Sequence, residues 1–372
     1  MPPPLRFEIV AVDGDARVAR LSTPHGVVET PAFMPVATFG AVRGVSPDEL
    51  RALGAEILLS NTYHLHERPG EEVIARAGGL HGFTGWQGPW LTDSGGYQVT
   101  SLADRARIDE EGVAFRSPLD GTRRLLTPER AVAIQEALGS DVAMVLDECR
   151  PHAEADGSAA RSAMERTLRW AERARRAHRL ERQALFGIVQ GGLSPALRRE
   201  SARATVSLGF DGYAHGGLGL GEEPARREAL LAEAAAELPR EAPRYAMGIG
   251  RPSDLLAAVA RGVDLFDCVL PTRNGRHGLL FTRSGILALR NARFRDDLRP
   301  IEEGCDCPAC TRHSRAYLRH LLHAGEALGS RLASLHNLRA YLRLLEEARA
   351  AVRERRLAAL HEEVAALAEV RL

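Results

Sequence analysis

The chain has 372 residues, and its 49 Lys+Arg balance 49 Asp+Glu, so no global field advertises a polyanion or a membrane surface as partner and any such site must be local. No apolar run approaches the roughly 18 residues of a spanning helix, and five cysteines, three of them clustered, fit a reducing compartment better than a disulfide framework. Lysine is absent, so a phosphate contact has to use the planar, multi-donor guanidinium of arginine.

Met1-Pro-Pro-Pro-Leu-Arg has no charged stretch leading into an apolar segment, and a cytoplasmic location is expected. From Leu5 to Glu29 the turn signals Asp13-Gly14 and His25-Gly26 predict an antiparallel hairpin pair capping one end of the fold. Eight short apolar runs follow: Ala32 to Val36, Glu56 to Asn61, Pro89 to Asp93, Asp141 to Asp147, Ala184 to Gln190, Phe210 to Gly217, Tyr245 to Gly250 and Val263 to Leu270. Amphipathic stretches separate many of them, including the one from Pro128, Ala160 to Leu180 and Glu223 to Leu238. Thr127-Pro128 and Ser194-Pro195 each read as an N-cap followed by proline at the first helical position. Eight strand and helix units predict an α/β fold, a closed (β/α)8 barrel. The competing open sheet lacks its dinucleotide fingerprint, since Gly187-Ile-Val-Gln-Gly-Gly-Leu has the wrong glycine pattern. The expected division is a cap over 1–30, a barrel over 31–290 and a helical segment over 291–372.

Several strands end on polar residues, where a barrel of this kind places its chemistry. These are Asp93-Ser94-Gly95-Gly96-Tyr97, Asp147-Glu148-Cys149, Gln190-Gly191-Gly192, His215-Gly216-Gly217-Leu218 and Asp267-Cys268. Two carboxylates flanking a reacting carbon can divide the labour, one attacking and the other trading protons with the leaving group. Further carboxylate, amide and glycine backbone groups suit the edge of a planar heterocycle such as a purine. A single aspartate at a strand end is more often a helix cap, but the grouping favours a site. Glu148 and Cys149 read as packing or supporting residues. After the last strand, Arg273 and Arg276 lie in a glycine-punctuated segment expected to be a loop that grips phosphates.

Cys305, Cys307 and Cys310 fall within six residues, a spacing that reads as a zinc site of the closed Cys3His kind. Spacing alone does not choose the fourth ligand among His313, His320, His323 and His336. Helices are predicted from Thr311 to Ala324, Leu335 to Ala350 and Val352 to Val370.

Taken together, these stretches resemble the tRNA-guanine transglycosylases, the queuine tRNA-ribosyltransferase family. The resemblance runs through Thr30-Pro-Ala-Phe-Met-Pro-Val, Asn61-Thr-Tyr-His-Leu, Asp93-Ser-Gly-Gly-Tyr-Gln-Val, Leu138 to Cys149, Gly187-Ile-Val-Gln-Gly-Gly, Met247-Gly-Ile-Gly, Phe266 to Arg273 and Leu335-His-Asn-Leu, which covers nearly the whole chain. It implies an irregular (β/α)8 TIM barrel with a C-terminal zinc-binding helical subdomain. It implies Asp267 as nucleophile on the ribose of the first anticodon guanosine and Asp93 as general acid and base. Asp147, Gln190, Gly217 and Leu218, with Ser94 nearby, would read the base edge. Tyr97 and Met247 would cover its faces, and Arg273 and Arg276 would clamp the opened backbone. A structural zinc on Cys305, Cys307, Cys310 and His336, a tRNA with a G-U-N anticodon, the small molecules preQ1 and guanine, and a homodimer complete the expectation. No membrane partner is expected. Leu220 stands where a bulky aliphatic residue resembles bacterial members, which favours preQ1 over the larger queuine. His215 and Asn274 depart from the family pattern, where aliphatic residue and serine are usual.

Two other classes fit parts of the pattern. A silent RNA-binding subunit of the same family would have lost its active-site residues, yet Asp93 and Asp267 are both present. A zinc-braced barrel glycoside hydrolase would line its pocket with tryptophans, and the chain has three in all.

Overall fold

The computed structural model describes residues 3–98, 106–150, 157–368 and 370–372. Met1, Pro2, the motif residue Val99 and residue 369 of the predicted last helix lie outside them. The N-terminal segment forms a three-stranded antiparallel sheet of β1 (Arg6–Asp13), β2 (Ala16–Thr23) and β3 (Gly26–Thr30), with turns at the expected Asp13-Gly14 and His25-Gly26. The barrel strands are β4 (Ala32–Pro35), β5 (Leu58–Ser60) and β6 (Trp90–Thr92), then β10 (Val142–Met144), β11 (Ala184–Val189), β12 (Gly212–His215), β13 (Arg244–Ala246) and β14 (Leu265–Cys268). Between β6 and β10 a small antiparallel sheet, β7 (Arg107–Ile108), β8 (Val113–Arg116) and β9 (Arg123–Leu126), is inserted, and β15 (Leu279–Thr282) with β16 (Gly285–Ala288) form a hairpin after the barrel. Neither was expected.

All eight predicted runs are therefore strands, and they pair in parallel in the order β4-β14-β13-β12-β11-β10-β6-β5. A bridge between Val36 and Leu59, with Ala37 N donating to Leu59 O at 2.7 Å, joins the two edges. Strands covered by helices outside and filled by side chains inside have to be apolar on both faces, which is why β10 and β11 are buried along their whole length. Two predicted caps hold: Thr127 Oγ1 accepts from Arg130 N at 3.1 Å ahead of the helix Pro128–Leu138, and Ser194 Oγ accepts from Leu197 N at 3.4 Å ahead of Pro195–Ser207. Among the described residues no helix is long and apolar enough to cross a membrane.

The tail divides differently from expectation. The predicted helix from Thr311 is two, Pro308–Arg312 and Arg315–Ala324, because Ser314 turns extended and caps the second by accepting from Tyr317 N at 3.3 Å. The helix expected from Leu335 begins at Ala327 and runs through to Arg353, and the last helix is Leu357–Leu367. Gly329 is no breaker: a Cβ there would meet Leu321 Cβ at 2.7 Å, so the glycine lets two helices approach. The same correction applies to the segment with Arg273 and Arg276, which is the helix Leu270–His277 and not a loop. A Cβ on its Gly275 would come within 2.9 Å of the Ala333 carbonyl carbon. Tyr341 Oη and Arg349 Nη1 then tie the long helix to the barrel by donating to Gly250 O at 2.5 Å and Pro31 O at 2.9 Å.

The N-terminal sheet is fastened to the barrel by one buried ion pair. Arg17 Nε donates to Asp264 Oδ1 at 2.9 Å and its Nη2 to Asp264 Oδ2 at 2.5 Å and Ala242 O at 2.8 Å, while Arg244 N donates to the same carboxylate at 2.6 Å. Without Arg17 the buried Asp264 carboxylate keeps Arg244 beside it, and losing its main partner costs up to about 3–5 kcal/mol. Arg17→Met is expected to lose that much in urea unfolding, and a loss below about 1 kcal/mol would show the pair to be dispensable.

Candidate active site and metal centre

The C-terminal ends of the barrel strands open into a cavity of about 770 Å³. Of the residues singled out by sequence, Asp93, Ser94, Tyr97, Asp147, Gly217, Leu218, Met247, Asp267 and Arg273 line it. Gln190 sits one layer behind, donating from Nε2 to Asp147 Oδ2 at 2.7 Å, and Arg276 lies outside the lining, about one turn further along the helix that carries Arg273. Cys149, read from sequence as packing, also lines the cavity. Glu148 points away and is buried against Arg150 and Arg166.

The two aspartates after β6 and in β14 are held by different means. Asp93 is buried, and its carboxylate accepts from Asn61 Nδ2, from Thr62 N at 2.9 Å and from Gly95 N at 3.2 Å. Burial nonetheless dominates and, with the charge of Asp267 adding to it, pushes the Asp93 carboxyl up to about 6. Asp267 keeps one oxygen engaged: Tyr245 Oη donates to Oδ1 at 2.5 Å and Gly248 N donates to it at 2.8 Å. Burial raises the pKa of Asp267 too, against the pull of those two donors. Asn61, Tyr245 and Gly248 were not found by sequence reasoning. The signal was available for Asn61, inside the quoted Asn61-Thr-Tyr-His-Leu stretch.

The loop after β12 forms another part of the wall and is packed tightly against the loop after β11. Gly216 and Gly217 follow β12 beside Gln190, and a Cβ on Gly217 would fall 2.6 Å from Gln190 Oε1. Arg198, fully buried, pins the two loops by donating to Gly192 O at 2.9 Å and Gly216 O at 2.8 Å. Asp147 is raised to about 6 by burial, opposed by the Gln190 bond. Arg276 lies near Arg273 and near Arg43, a cation that sequence reasoning also missed, and burial together with these neighbours lowers the pKa of Arg276.

Ionising Asp93 and Asp147 inside the protein is therefore costlier than in the unfolded chain, where Asp titrates at about 3.9. Raised folded values mean that stability present below the unfolded value is lost as pH climbs from there through about 6. An amide at position 147 can still accept from Gln190, so Asp147→Asn is expected to gain stability over wild type between about pH 4 and pH 7, by up to about 3 kcal/mol. A pH-independent difference in urea unfolding would contradict the burial argument.

Cys305, Cys307, Cys310 and His336 are all buried, and their ligand atoms lie within 4.8 Å of one another. The three sulfurs stand 3.8, 3.6 and 3.3 Å from His336 Nδ1. Two ligands at roughly 2.3 Å and 2.0 Å from one tetrahedral ion are about 3.5 Å apart, so these residues fit a single metal. His336 Nε2 donates to Phe281 O at 2.8 Å, which leaves the Nδ1 lone pair free for the ion. His336 resolves the choice that spacing left open: among the four histidines, it alone joins the cluster.

A second group, His25, His81 and Asp141, also brings its ligand atoms together. Its two rings stack at 3.5 Å with an interplanar angle of 18°. An imidazole lone pair lies in the ring plane, and planes this close to parallel meet far from both rings, so one ion does not suit the pair. The carboxylate works as a tie instead, accepting from His25 Nδ1 and from Trp90 N, each at 2.8 Å.

Comparison with known proteins agrees across the chain. The family model described as "Queuine tRNA-ribosyltransferase" matches residues 13–369. A "Queuine tRNA-ribosyltransferase" of Thioalkalivibrio sulfidiphilus is 55% identical over 355 residues, 95% of each chain. One of Thermus thermophilus is 55% identical over 353 residues, 95% of this chain and 91% of that one. One of Thiobacillus denitrificans is 54% identical over 348 residues, 94% and 95% of the two.

Proposed function

Because the chain belongs to the queuine tRNA-ribosyltransferase family, we propose that it replaces the guanine at the first anticodon position of G-U-N tRNAs with preQ1, a step in queuosine biosynthesis. The observation that carries this reading is the convergence of Asp93 and Asp267 on one cavity, each held by its own donors, with the charge of Asp267 acting on Asp93.

In the first step the free oxygen of Asp267 bonds to C1′ of the ribose as the bond from C1′ to N9 of guanine breaks, and the proton on Asp93 passes to the departing base. A carboxyl titrating near 6 is protonated often enough at neutral pH to serve as acid and is basic enough to act in reverse. In the second step Asp93 takes the N9 proton of preQ1, which attacks C1′ and displaces Asp267. Two displacements at one carbon retain configuration, as in a retaining glycosidase, with a base in place of water. Tyr245 and Gly248 hold the nucleophile's other oxygen in place between the two steps.

Asp147, held from behind by Gln190, reads the base edge together with Ser94 and the Gly217-Leu218 backbone, with Tyr97 and Met247 on its faces. Leu220 also lines the cavity and fills space that a larger base would need. Reaching C1′ requires the nucleotide to leave its stack, and Arg273 and Arg276 take the opened phosphate backbone. Zinc on Cys305, Cys307, Cys310 and His336 is structural, since four protein ligands leave no open position. The enzyme works in the cytoplasm as a homodimer.

Exchange of radiolabelled guanine into a G-U-N tRNA, competed separately by preQ1 and queuine, tests the reading. Exchange suppressed by preQ1 and not by queuine is expected. No exchange would remove the reaction, and equal competition would remove the base preference.

A further inference from the structure

Phe39 is the most exposed aromatic side chain among the described residues, at 57%. Its place is not that of a stray surface residue. Val36 forms the bridge that closes the barrel, Ala37 N donates to Leu59 O at 2.7 Å, and Ser60 Oγ donates to Ala37 O at 2.8 Å. Gly40 N then donates back to Ala37 O at 2.9 Å, closing a tight turn with Phe39 at its tip. A turn anchored on the barrel itself presents this ring in a fixed position.

The ring leans on His64, centroid to centroid 4.9 Å, and His64 packs at 5.1 Å on Tyr63, which meets Phe115 at 5.6 Å. This aromatic file reaches from the surface into the core. Thr38 and His64 line the active-site cavity, as does Val269, an exposed apolar residue beyond Asp267. His64 also lies in the short helix Thr62–Glu67, whose first amide donates to Asp93 at 2.9 Å. The π-face of Phe39 thus stands one residue outside the cavity lining, joined to it through Thr38 and His64, and Val269 and the guanidinium of Arg273 line the same cavity.

Drawing a nucleotide out of a loop strips stacking partners from the bases on either side of it, and RNA-binding sites supply aromatic faces to such bases. We propose that Phe39, backed by His64, is a stacking platform for a nucleobase adjacent to the exchanged guanosine, an inference that rests on the tRNA base exchange proposed above. The platform positions substrate and takes no part in bond making. It is sequence-tolerant, because every base offers a π-face.

The test measures guanine exchange on an anticodon stem-loop RNA and on two abasic versions, lacking the base immediately 5′ or 3′ of the exchanged guanosine. Wild type, Phe39→Ala and Phe39→Trp are compared, with the mass of each by sedimentation velocity. Phe39→Ala is expected to raise KM for the intact RNA on the order of tenfold while kcat holds, and Phe39→Trp to restore it. One abasic RNA should raise the wild-type KM similarly and show no further rise with Phe39→Ala. An unchanged KM in Phe39→Ala, or a full penalty persisting on both abasic RNAs, would overturn the platform. A changed mass in Phe39→Ala would overturn it too, by assigning the ring to a contact between copies of the chain. Wild type that exchanges nothing on the intact RNA would instead sink the base exchange, and the platform with it.

Discussion

Asp267→Asn is expected to bind a G-U-N tRNA as wild type does and to exchange its guanine about 10⁴-fold more slowly or worse, the scale seen when a nucleophile is removed. The substitution keeps the shape of the side chain, and its carbonyl oxygen still accepts from Tyr245 Oη and Gly248 N. What disappears is the anionic oxygen that would bond to C1′, so the loss belongs in kcat and in any denaturation-resistant complex between protein and RNA. Binding measured by fluorescence anisotropy and exchange measured on the same preparation separate the two effects. Exchange at the wild-type rate, or a covalent complex formed by the variant, would remove Asp267 from the nucleophile's role. Because the charge of Asp267 also helps to raise Asp93, the same variant should leave Asp93 more acidic.

Cys307→Ala is expected to act at a distance from the cavity. Cys307 is buried and is also the N-cap residue of the helix Pro308–Arg312, so the metal and the start of that helix depend on one residue. Structural zinc sites carry apparent binding free energies of about 10–16 kcal/mol in peptides, an upper limit for what the loss of one ligand removes. Metal content should fall well below one equivalent and Tm by on the order of 10 °C, and a chelator should move wild type in the same direction. Unchanged metal and melting in the variant would mean that the four residues do not hold the ion.

The barrel was legible because its strands have one environment. A parallel strand between helices and a filled interior is apolar throughout, so runs such as Val142-Ala-Met and Ala184 to Val189 stand out from their polar ends. Those ends were legible for the same reason, since a polar residue stopping an apolar run needs an explanation. Glycine in the Arg273–Arg276 segment was read as a loop signal, and the structure shows it packing instead. Gly275 and Gly329 look like punctuation along the chain, but each marks a close approach to a segment distant or separated in sequence, which no local pattern records. The donors to Asp267 were hidden in the same way: Tyr245 looks like one more aromatic strand residue until β13 and β14 are laid side by side. His336 needed the fold as well, because ligands 26 to 31 residues apart meet only once the long helix has docked.

His336 and its neighbour have a consequence in the timing of synthesis. Asn337 Nδ2 donates to Pro271 O and Leu279 O, each at 2.9 Å, and its Oδ1 accepts from Phe281 N at 3.0 Å. These are the backbone groups just downstream of Asp267, and their partner is translated dozens of residues after them. A ribosome that stops short of Ala327 releases a chain with all eight barrel strands and with the stretch beside Asp267 still unfastened. Completion of the barrel strands and fastening of that rim are thus separate events on the ribosome, and only a chain translated through the long helix has the rim secured.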